Sequence, residues 1–308
     1  MREPVGVVVM LSAEVMEKYR RAGEIAAKVR EEMRRTVREG MPIIEVCERA
    51  ESLIVSLGGK PAFPCNVSIN DVAAHYTSPP DDEGEIPENS VVKIDIGVHI
   101  DGYIADTAAT ICFDPNHERL VEVSEGALKM AVKIIRPGLS IARFGLEVQR
   151  FIKSRGFKPI SNLTGHQVGR YLIHAGKVLP NVSQMSISKI RLGEVYAVEP
   201  FVTYPEAAGI VKNSPEAFIF RLAKRKSPKE AESRRLLKFI ESNFRTLPFA
   251  ERWLRNYGSR SEYRRAFSDL ISGRYLMSYP VFVEASGGLV AQSEHTVVVE
   301  KDGASLLT

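Results

Sequence analysis

Two aspartates in neighbouring β-rich segments are residues whose types and spacing point to chemistry. Asp95 lies in VKIDIG and Asp106 in IADTAAT, and the Asp101-Gly102 step between them is typical of a hairpin turn. Such a hairpin pairs position 95 with 108 and position 106 with 97, so both carboxylates leave one face as diagonal neighbours. In apolar strands they should repel, become protonated or share a cation. The structural alternative is that one Asp lies at a strand end and the other pairs with Arg or Lys. Only Lys93 is near in the sequence, and it lies on the same strand as Asp95, which disfavours such a pair.

The second half of the chain offers a matching set of polar side chains. Glu199 lies in VYAVEPFV and Glu294 in VAQSEHTVVV, and the segment 288–296 resembles the segment 102–110. Superposing these segments places Glu294 on the strand face that Asp106 occupies. His166, in LTGHQVG, adds an imidazole. Four carboxylates and one imidazole carry a formal charge of −4, which two divalent cations would neutralise, and this donor set suits Mn, Fe, Co or Zn.

A repeated helix precedes both sets of strands. Residues 39–61 and 137–159 align without a gap at an offset of 98, with seven identical residues. Each copy follows a longer amphipathic helix, the first of which has Ser12 as its expected N-cap, and each precedes a β-rich stretch. This pattern predicts a duplication, two similar halves related by a pseudo-two-fold axis. The alternative is a chance likeness of two helix ends.

Composition sets the class of protein. The chain has 308 residues, of which 44% are apolar and 26% charged, as in a soluble globular protein rather than a disordered or fibrous one. It lacks both the run of about 20 apolar residues that a membrane span needs and the features of a signal peptide. Three widely spaced cysteines do not make a disulfide framework, which favours a cytoplasmic location.

The net charge of +4 conceals an uneven distribution. Residues 221–275 hold 15 basic and 6 acidic side chains, and the remainder holds 27 basic and 32 acidic ones. About 85 residues separate the two β-rich runs of the second half, so this basic segment is an inserted arm rather than a loop. Helical spacing appears in it at 228–244, 248–257 and 262–275.

Five motifs carry a resemblance to a known family. They are AAHYT at 73–77, KIDIGVHIDGYIADTA at 93–108, LTGHQVGRYLIHAG at 163–176, EPF at 199–201 and QSEHTVVV at 292–299. Together they resemble the methionine aminopeptidases over nearly the whole chain, and the insertion before Glu294 resembles the archaeal-like type 2 enzymes of peptidase family M24. After EPFVT, however, the sequence TYPEAAGIV lacks the glycine-rich turn expected of type 2, so no pocket residue is carried over there.

The resemblance implies an α+β pita-bread (creatinase/aminopeptidase) fold, with two pseudo-symmetric halves around a curved antiparallel sheet and an inserted helical subdomain. We expect residues 1–212 and 276–308 to form the catalytic domain. Residues 213–275 are then the inserted basic subdomain, with a winged-helix-like fold.

The resemblance also implies a function for each candidate metal ligand. Asp95 chelates one of two divalent ions, Asp106 and Glu294 bridge both, and His166 with Glu199 completes the second site. Glu199 is in addition the expected general base and proton shuttle, which requires that the metals tune its pKa.

Four further residues are assigned to the substrate by the same resemblance. His75 orients or protonates groups near the leaving amine, and His174 hydrogen-bonds the substrate carbonyl. Phe63 and Ile173 resemble the walls of a methionine pocket, which suits an unbranched thioether. Ordinary packing in the protein core is the alternative for all four.

The implied substrates are nascent polypeptide N-termini with a small second residue, and no DNA or membrane partner is expected of this monomer. A basic cluster in the arm suggests ribosome contact, because rRNA attracts basic patches. Its members are Arg225, Lys226, Arg234, Arg235, Arg264 and Arg265. Solvated surfaces of outer helices are the alternative explanation.

Two rival functions remain at this point. Prolidases and aminopeptidase P share the pita-bread fold and cleave X-Pro bonds, although AAHYT and GHQVGRYLIHAG fit methionine aminopeptidase better. A non-enzymatic pita-bread protein that binds RNA or proteins is the second rival. Such relatives lose metal ligands, whereas all five ligand positions and both histidines are present here.

Overall fold

The first half of the body packs two helices against a β-hairpin. The computed structural model describes residues 11–223, 227–255, 257–258 and 260–308. In its first half the elements are α1 (Ala13–Thr36), α2 (Ile43–Ser56), β1 (Lys60–Pro61), β2 (Asn66–Ile69), β3 (Val72–Ala74), β4 (Val91–Ile100) and β5 (Tyr103–Cys112). The Ser12 hydroxyl accepts a hydrogen bond from the Val15 amide, so the expected N-cap of α1 is confirmed.

The second half repeats this arrangement. Its elements up to the insertion are α3 (Glu118–Ile134), α4 (Ile141–Lys153), β6 (Lys158–Pro159), β7 (Thr164–Gln167), β8 (Val178–Pro180), β9 (Val195–Val198) and β10 (Phe201–Thr203). In both halves the short strand after the repeated helix pairs antiparallel with a later strand of the same half: β1 with β4, and β6 with β10. The two expected pseudo-symmetric halves are therefore confirmed.

The insertion and the chain's end complete the architecture. Their elements are β11 (Val211–Leu222), α5 (Ala231–Phe244), β12 (Phe249–Ala250), α6 (Arg260–Ser272), β13 (Leu276–Glu284), β14 (Val290–Gln292), β15 (His295–Glu300) and β16 (Gly303–Leu306). β14 pairs with β10 in one sheet and β15 with β9 in another, so the chain returns from the insertion to complete both sheets of the second half.

Separate apolar cores support the two halves. The helices α1 and α2 bury one face each against β2 and β4, and α3 with α4 does the same against β9, β10 and β15. Since burial of apolar surface is the main favourable contribution to folding, each pair of helices fixes the sheet that it covers. In the described ranges, no helix combines the length and the apolar character needed to cross a membrane.

The arm has its own apolar core, formed by α5, α6 and neighbouring strands. Helices occur in two of the three predicted segments, but residues 248–257 contain β12 and a 3₁₀ turn at Glu251–Leu254. The reason is that Phe249 and Ala250 pair with Phe220 and Ile219 of β11, which commits them to the sheet. The sheet order β12-β11-β13-β3 runs continuously from arm to body. The division at 212/213 and 275/276 and the winged-helix likeness remain predictions.

A buried ionic contact joins the arm to α2. The Arg252 guanidinium donates to the Glu51 carboxylate, and its Nη1 lies 2.7 Å from the Thr77 hydroxyl oxygen. Trp253 donates its indole N–H to Glu51 Oε2 at 2.7 Å. We call Glu51, Arg252 and Trp253 the arm latch, because they fix the arm against the body through a charged pair that is almost completely buried.

Candidate metal centre and substrate cavity

The first-half hairpin positions Asp95 and Asp106. β4 and β5 pair with Asp95 opposite Ala108 and Asp106 opposite Gly97, which confirms the predicted register. Asp101 and Gly102 have φ angles of 51° and 88°, as a type I′ turn requires. Since the two strands are continuous and tightly paired, the two carboxylates are held as diagonal neighbours on one face.

The second half presents its two carboxylate ligands at interruptions of the strands. Glu199 lies between β9 and β10, and Glu294 lies between β14 and β15. The Glu294 amide donates to the Ala108 carbonyl at 3.0 Å, so this carboxylate is attached directly beside the first-half hairpin. His166 lies on β7 opposite Ala197 of β9. Each half therefore contributes to one centre where the two sheets meet.

The five predicted ligands surround a single cavity of about 240 Å³. His166 Nε2 lies 3.4 Å from Glu199 Oε1 and 3.7 Å from Asp106 Oδ2. One ligand atom from each of Asp106, His166 and Glu294 falls within 4.8 Å of the others, close enough to share one ion. Asp95 and Glu199 line the same cavity.

Burial makes this set of like charges electrostatically unfavourable. It raises the pKa of Asp95 to about 7, and it raises the pKa values of Asp106, Glu199 and Glu294 well above their usual range, with mutual repulsion as a further cause. Burial also lowers the pKa of His166 to about 3, so its imidazole is neutral at pH 7. The centre thus contains four carboxylates beside a neutral ring.

The polar atoms of the centre lack partners in a way that fits a divalent cation. Asp95 Oδ1, Asp106 Oδ1 and His166 Nδ1 are buried without a hydrogen-bond partner among the residues that the structure describes. In the same residues, none of the four carboxylates pairs with Lys or Arg. Lys93 instead donates to the Asn70 carbonyl at 2.7 Å. Buried carboxylates with this donor chemistry are what a divalent metal site requires.

His75 occupies the cavity wall with an unusual backbone. Its φ of 66° lies in the left-handed region, which a non-glycine residue adopts at a cost of about 1–3 kcal/mol. The ring lies 4.5 Å from that of Phe282, and Nδ1 lies 3.3 Å from the Pro280 carbonyl oxygen. Burial lowers its pKa to about 4. A carbonyl can only accept, so Nδ1 carries the proton and Nε2 is left as an acceptor.

His174 and the two predicted wall residues lie around the same cavity. The His174 ring centroid is 4.4 Å from that of His166, and burial lowers the His174 pKa. Phe63 packs with Leu247 in an apolar cluster that Ile173 joins. A Cβ at Gly97 would come within 2.2 Å of the Phe63 ring, which explains the glycine in VKIDIG. The structure thus brings all nine predicted site residues to one place.

Sequence reasoning missed several cavity residues that come from the arm and its flanking strands. They are Ile219, Pro248, Tyr279 and Phe282. Ile219 and Tyr279 face each other across β11 and β13, and Tyr279 packs edge-on against His75 at 5.6 Å. The alternation of apolar residues in these strands was the available signal, but it could not indicate that the arm closes over the cavity.

Comparison with known proteins places this geometry in a family. The model of Metallopeptidase family M24 matches residues 17–301. The chain belongs to metallopeptidase family M24. A methionine aminopeptidase of Methanothermobacter thermautotrophicus is 40% identical over 297 residues, which cover 96% of this chain and 99% of that protein. This M24 chain is therefore a metallopeptidase, and its recognition as a relative of archaeal methionine aminopeptidases is confirmed.

Solved structures confirm the fold of this M24 peptidase. The structure of a thermophilic Arx1 matches with a TM-score of 0.82 at 21% identity, over 96% of this chain and 91% of that one. Methionine aminopeptidase from Thermotoga maritima matches with a TM-score of 0.71 at 22% identity, over 98% and 99% of the two chains. The predicted pita-bread architecture is thus confirmed.

Proposed function

We propose that this M24 peptidase is a methionyl aminopeptidase, which removes the N-terminal methionine from nascent proteins and peptides that carry a small second residue. The observation that supports this most is the combination of near-complete alignment to methionine aminopeptidases with a cavity in which five metal-ligating side chains face apolar walls. An exopeptidase needs such a closed end, because only a free chain terminus can then reach the reacting centre.

The proposed cofactor is a pair of divalent ions, with Co, Mn, Fe and Zn as candidates. Asp95 would hold one, Asp106 and Glu294 would be shared, and His166 with Glu199 would hold the other. When bound, such ions supply a nucleophile at neutral pH by acidifying water, and they polarise the peptide carbonyl. The side chains that lack partners in this centre support the proposal because cation binding would satisfy them.

Glu199 is the proposed general base. In the metal-free protein, burial raises the pKa of Glu199 well above its usual range. Bound cations would lower that pKa again, so Glu199 would be an ionised carboxylate that can accept a proton at neutral pH. It would take a proton from the attacking water and pass it to the amine that leaves. Its position at the break between β9 and β10 supports this assignment, since the side chain is both buried and in contact with the cavity.

The two cavity histidines have different proposed functions. His75 is neutral at pH 7 with Nε2 as an acceptor, so it would orient the substrate by accepting from an N–H group rather than by donating a proton. His174 would donate to the substrate carbonyl. Phe63 and Ile173 would enclose the methionine side chain between apolar surfaces.

Methionine release from the peptide Met-Ala-Ser tests this function. We expect release by the purified protein, loss of release after chelation, and recovery when Co or Mn is added. An Ala-Pro substrate should remain intact, whereas its cleavage in preference to Met-Ala-Ser would favour a prolidase. Absence of release with every metal would contradict the proposal and leave the non-enzymatic alternative.

We also propose that the protein acts as a cytoplasmic monomer whose basic arm contacts the ribosome. Arg225 and Lys226 lie outside the described residues. Of the other cluster members, Arg235 pairs with Glu232 and Arg264 with Asp81, and both Arg264 and Arg265 are exposed. Reversing Arg234, Arg235, Arg264 and Arg265 to Glu should reduce co-sedimentation with ribosomes at low salt. Unchanged co-sedimentation would contradict the contact.

A further inference from the structure

One arginine lies on the cavity side of the antiparallel strand pair β11–β13. The register pairs Ile219 with Tyr279 and, two residues further along, Arg221 with Met277. Side chains alternate between the faces of a strand, so these four residues share one face. Ile219 and Tyr279 line the cavity. The opposite face points into the arm core, to which it contributes Phe220, Leu222 and Leu276. Arg221 is therefore the next residue outward from the cavity wall.

The contacts of Arg221 place its guanidinium beside the cavity. Its Nη2 lies 3.8 Å from the Met277 sulfur, and its charge opposes the rise that burial causes in the pKa of Tyr279. Burial lowers the pKa of His174, and the charge of Arg221 lowers it further. Arg221 is half-buried, whereas Met277 is 39% exposed. The Arg221 guanidinium thus lies near the cavity residues Tyr279 and His174 on one side and solvent on the other.

This guanidinium makes no ion pair with any residue of the described ranges. Arginine has five N–H donors in a planar fork, and the thioether sulfur of Met277 is a weak acceptor that satisfies few of them. A half-buried guanidinium is matched best by a carboxylate, which can accept two parallel hydrogen bonds. The carboxylates of the metal centre lie deeper in the cavity, and none of them forms that pair.

We propose that Arg221 binds a carboxylate of the substrate beyond its second residue. The inference rests on the proposed function, in which methionine fills the apolar end beside Phe63 and Ile173 and the rest of the peptide leaves past Tyr279. The carboxylate belongs either to an acidic side chain at the third or fourth position or to the C-terminus of a short peptide. Arg221 is in this sense a specificity-determining residue that touches substrate.

Steady-state kinetics on matched peptides tests the proposal. The panel is Met-Ala-Glu-Ser-Ser-amide, Met-Ala-Ser-Glu-Ser-amide and the uncharged Met-Ala-Gln-Ser-Ser-amide, with Met-Ala-Ser as free acid and as amide. We expect kcat/KM about tenfold higher for a carboxylate-bearing member than for its uncharged match, mainly through KM, because a charge-assisted hydrogen bond to a half-buried guanidinium is stronger than a neutral one. Comparison of the Glu-containing peptides with the Met-Ala-Ser acid and amide shows whether the bound carboxylate is a side chain or the C-terminus.

Substitutions of Arg221 test whether this residue causes the preference for carboxylate-bearing peptides. Arg221→Gln should remove the preference, so that carboxylate-bearing and uncharged peptides give the same kcat/KM in that variant, and Arg221→Lys should keep part of it. Arg265→Gln, which removes an equal charge from an exposed site on α6, should leave the preference intact. Equal kcat/KM values across the wild-type panel, or an unchanged preference in Arg221→Gln, would overturn the inference while the proposed function stands. No release from any peptide would overturn both.

Discussion

Two buried charged clusters in this protein differ in the signs of their charges and in how far their polar atoms are hydrogen-bonded. The carboxylate cluster, formed by Asp95, Asp106, Glu199 and Glu294, holds charges of one sign, and two of its oxygens have no hydrogen-bond partner in the described part of the chain. The arm latch holds opposite charges. Both Glu51 oxygens are occupied, one by Arg252 and the Cys65 amide and the other by Trp253.

The difference teaches what each cluster can do. Burial raises the pKa of Glu51, but Arg252 and two N–H donors oppose the rise, so the latch is neutralised within the protein itself. The carboxylate cluster has no cationic partner among the described residues. The Gln292 amide donates to Glu294 Oε2 at 3.2 Å, but the carboxylates still repel one another. The carboxylate cluster is electrostatically unfavourable alone and becomes favourable when a cation binds, as expected of a binding site. The arm latch has all its charges paired within the protein, so its effect is to hold the arm against the body.

The largest expected effect comes from neutralising one member of the carboxylate cluster. Glu199→Gln should lower kcat about 10²–10⁴-fold, the usual range for loss of a general base, without destabilising the metal-free protein. Methionine release and denaturant unfolding measure the two quantities. Glu206→Gln, an exposed change in the segment that follows, is the control and should preserve kcat. Full activity of Glu199→Gln would remove Glu199 from the mechanism.

The arm latch should respond to neutralisation in the opposite way. Arg252→Met leaves Glu51 buried without its cationic partner, so we expect a loss of about 3–5 kcal/mol in the free energy of unfolding. The double variant Glu51→Gln/Arg252→Met should regain part of that loss, because the unpaired charge is gone. Urea unfolding of both variants checks this. A loss below about 1 kcal/mol for Arg252→Met would show that the latch is energetically unimportant.

The contrast also explains how far the sequence could predict the structure. Asp95 and Asp106 were placed correctly because a tight turn fixes their register through eleven residues of chain. Glu51 and Arg252 are 201 residues apart. Their pairing depends on where the arm docks, and hydrophobic periodicity contains no information about docking. The same limit explains why Tyr279 and Pro248 were missed as cavity residues.

The second-half ligands show an intermediate case. The internal similarity predicted Glu199 and Glu294 as counterparts of the hairpin carboxylates, and both do line the cavity. The sequence did not reveal that the strands break at these residues. A break depends on contacts between the halves, such as that of the Glu294 amide with the Ala108 carbonyl. Local pattern thus predicted the residues, and long-range packing determined the backbone around them.

A somewhat smaller effect should appear as pH dependence of the metal-free protein. The pKa of Asp95 is about 7 in the folded state against 3.8 unfolded, so its favourable contribution is complete below pH 4 and is lost as pH rises through 7. In chelator, wild type should therefore lose on the order of 4 kcal/mol relative to Asp95→Asn between pH 4 and 8. Unfolding curves across this range check the sign.

Wild type and Asp95→Asn both contain the buried histidines. The difference between their unfolding free energies therefore excludes the contribution of those histidines to the pH dependence. His166, for example, has a lowered pKa, so it favours folding above pH 6.5 and loses that contribution as pH falls. Added Mn should reverse the trend for wild type, because metal binding releases protons and strengthens as pH rises. Parallel pH curves for the two proteins in chelator would contradict the repulsion argument.

The smallest effect is expected at an exposed ion pair near the arm latch. Arg255 and Glu48 join the arm to α2 at 3.0 Å, but their side chains are 43% and 50% exposed. Water already solvates both charges, so Glu48→Gln should change the free energy of unfolding by less than about 1 kcal/mol, and salt should reduce even that. Urea unfolding at two salt concentrations measures it. If Glu48→Gln cost as much as Arg252→Met, the number of arm contacts rather than burial would determine docking strength, and the distinction between the two clusters would lose its physical basis.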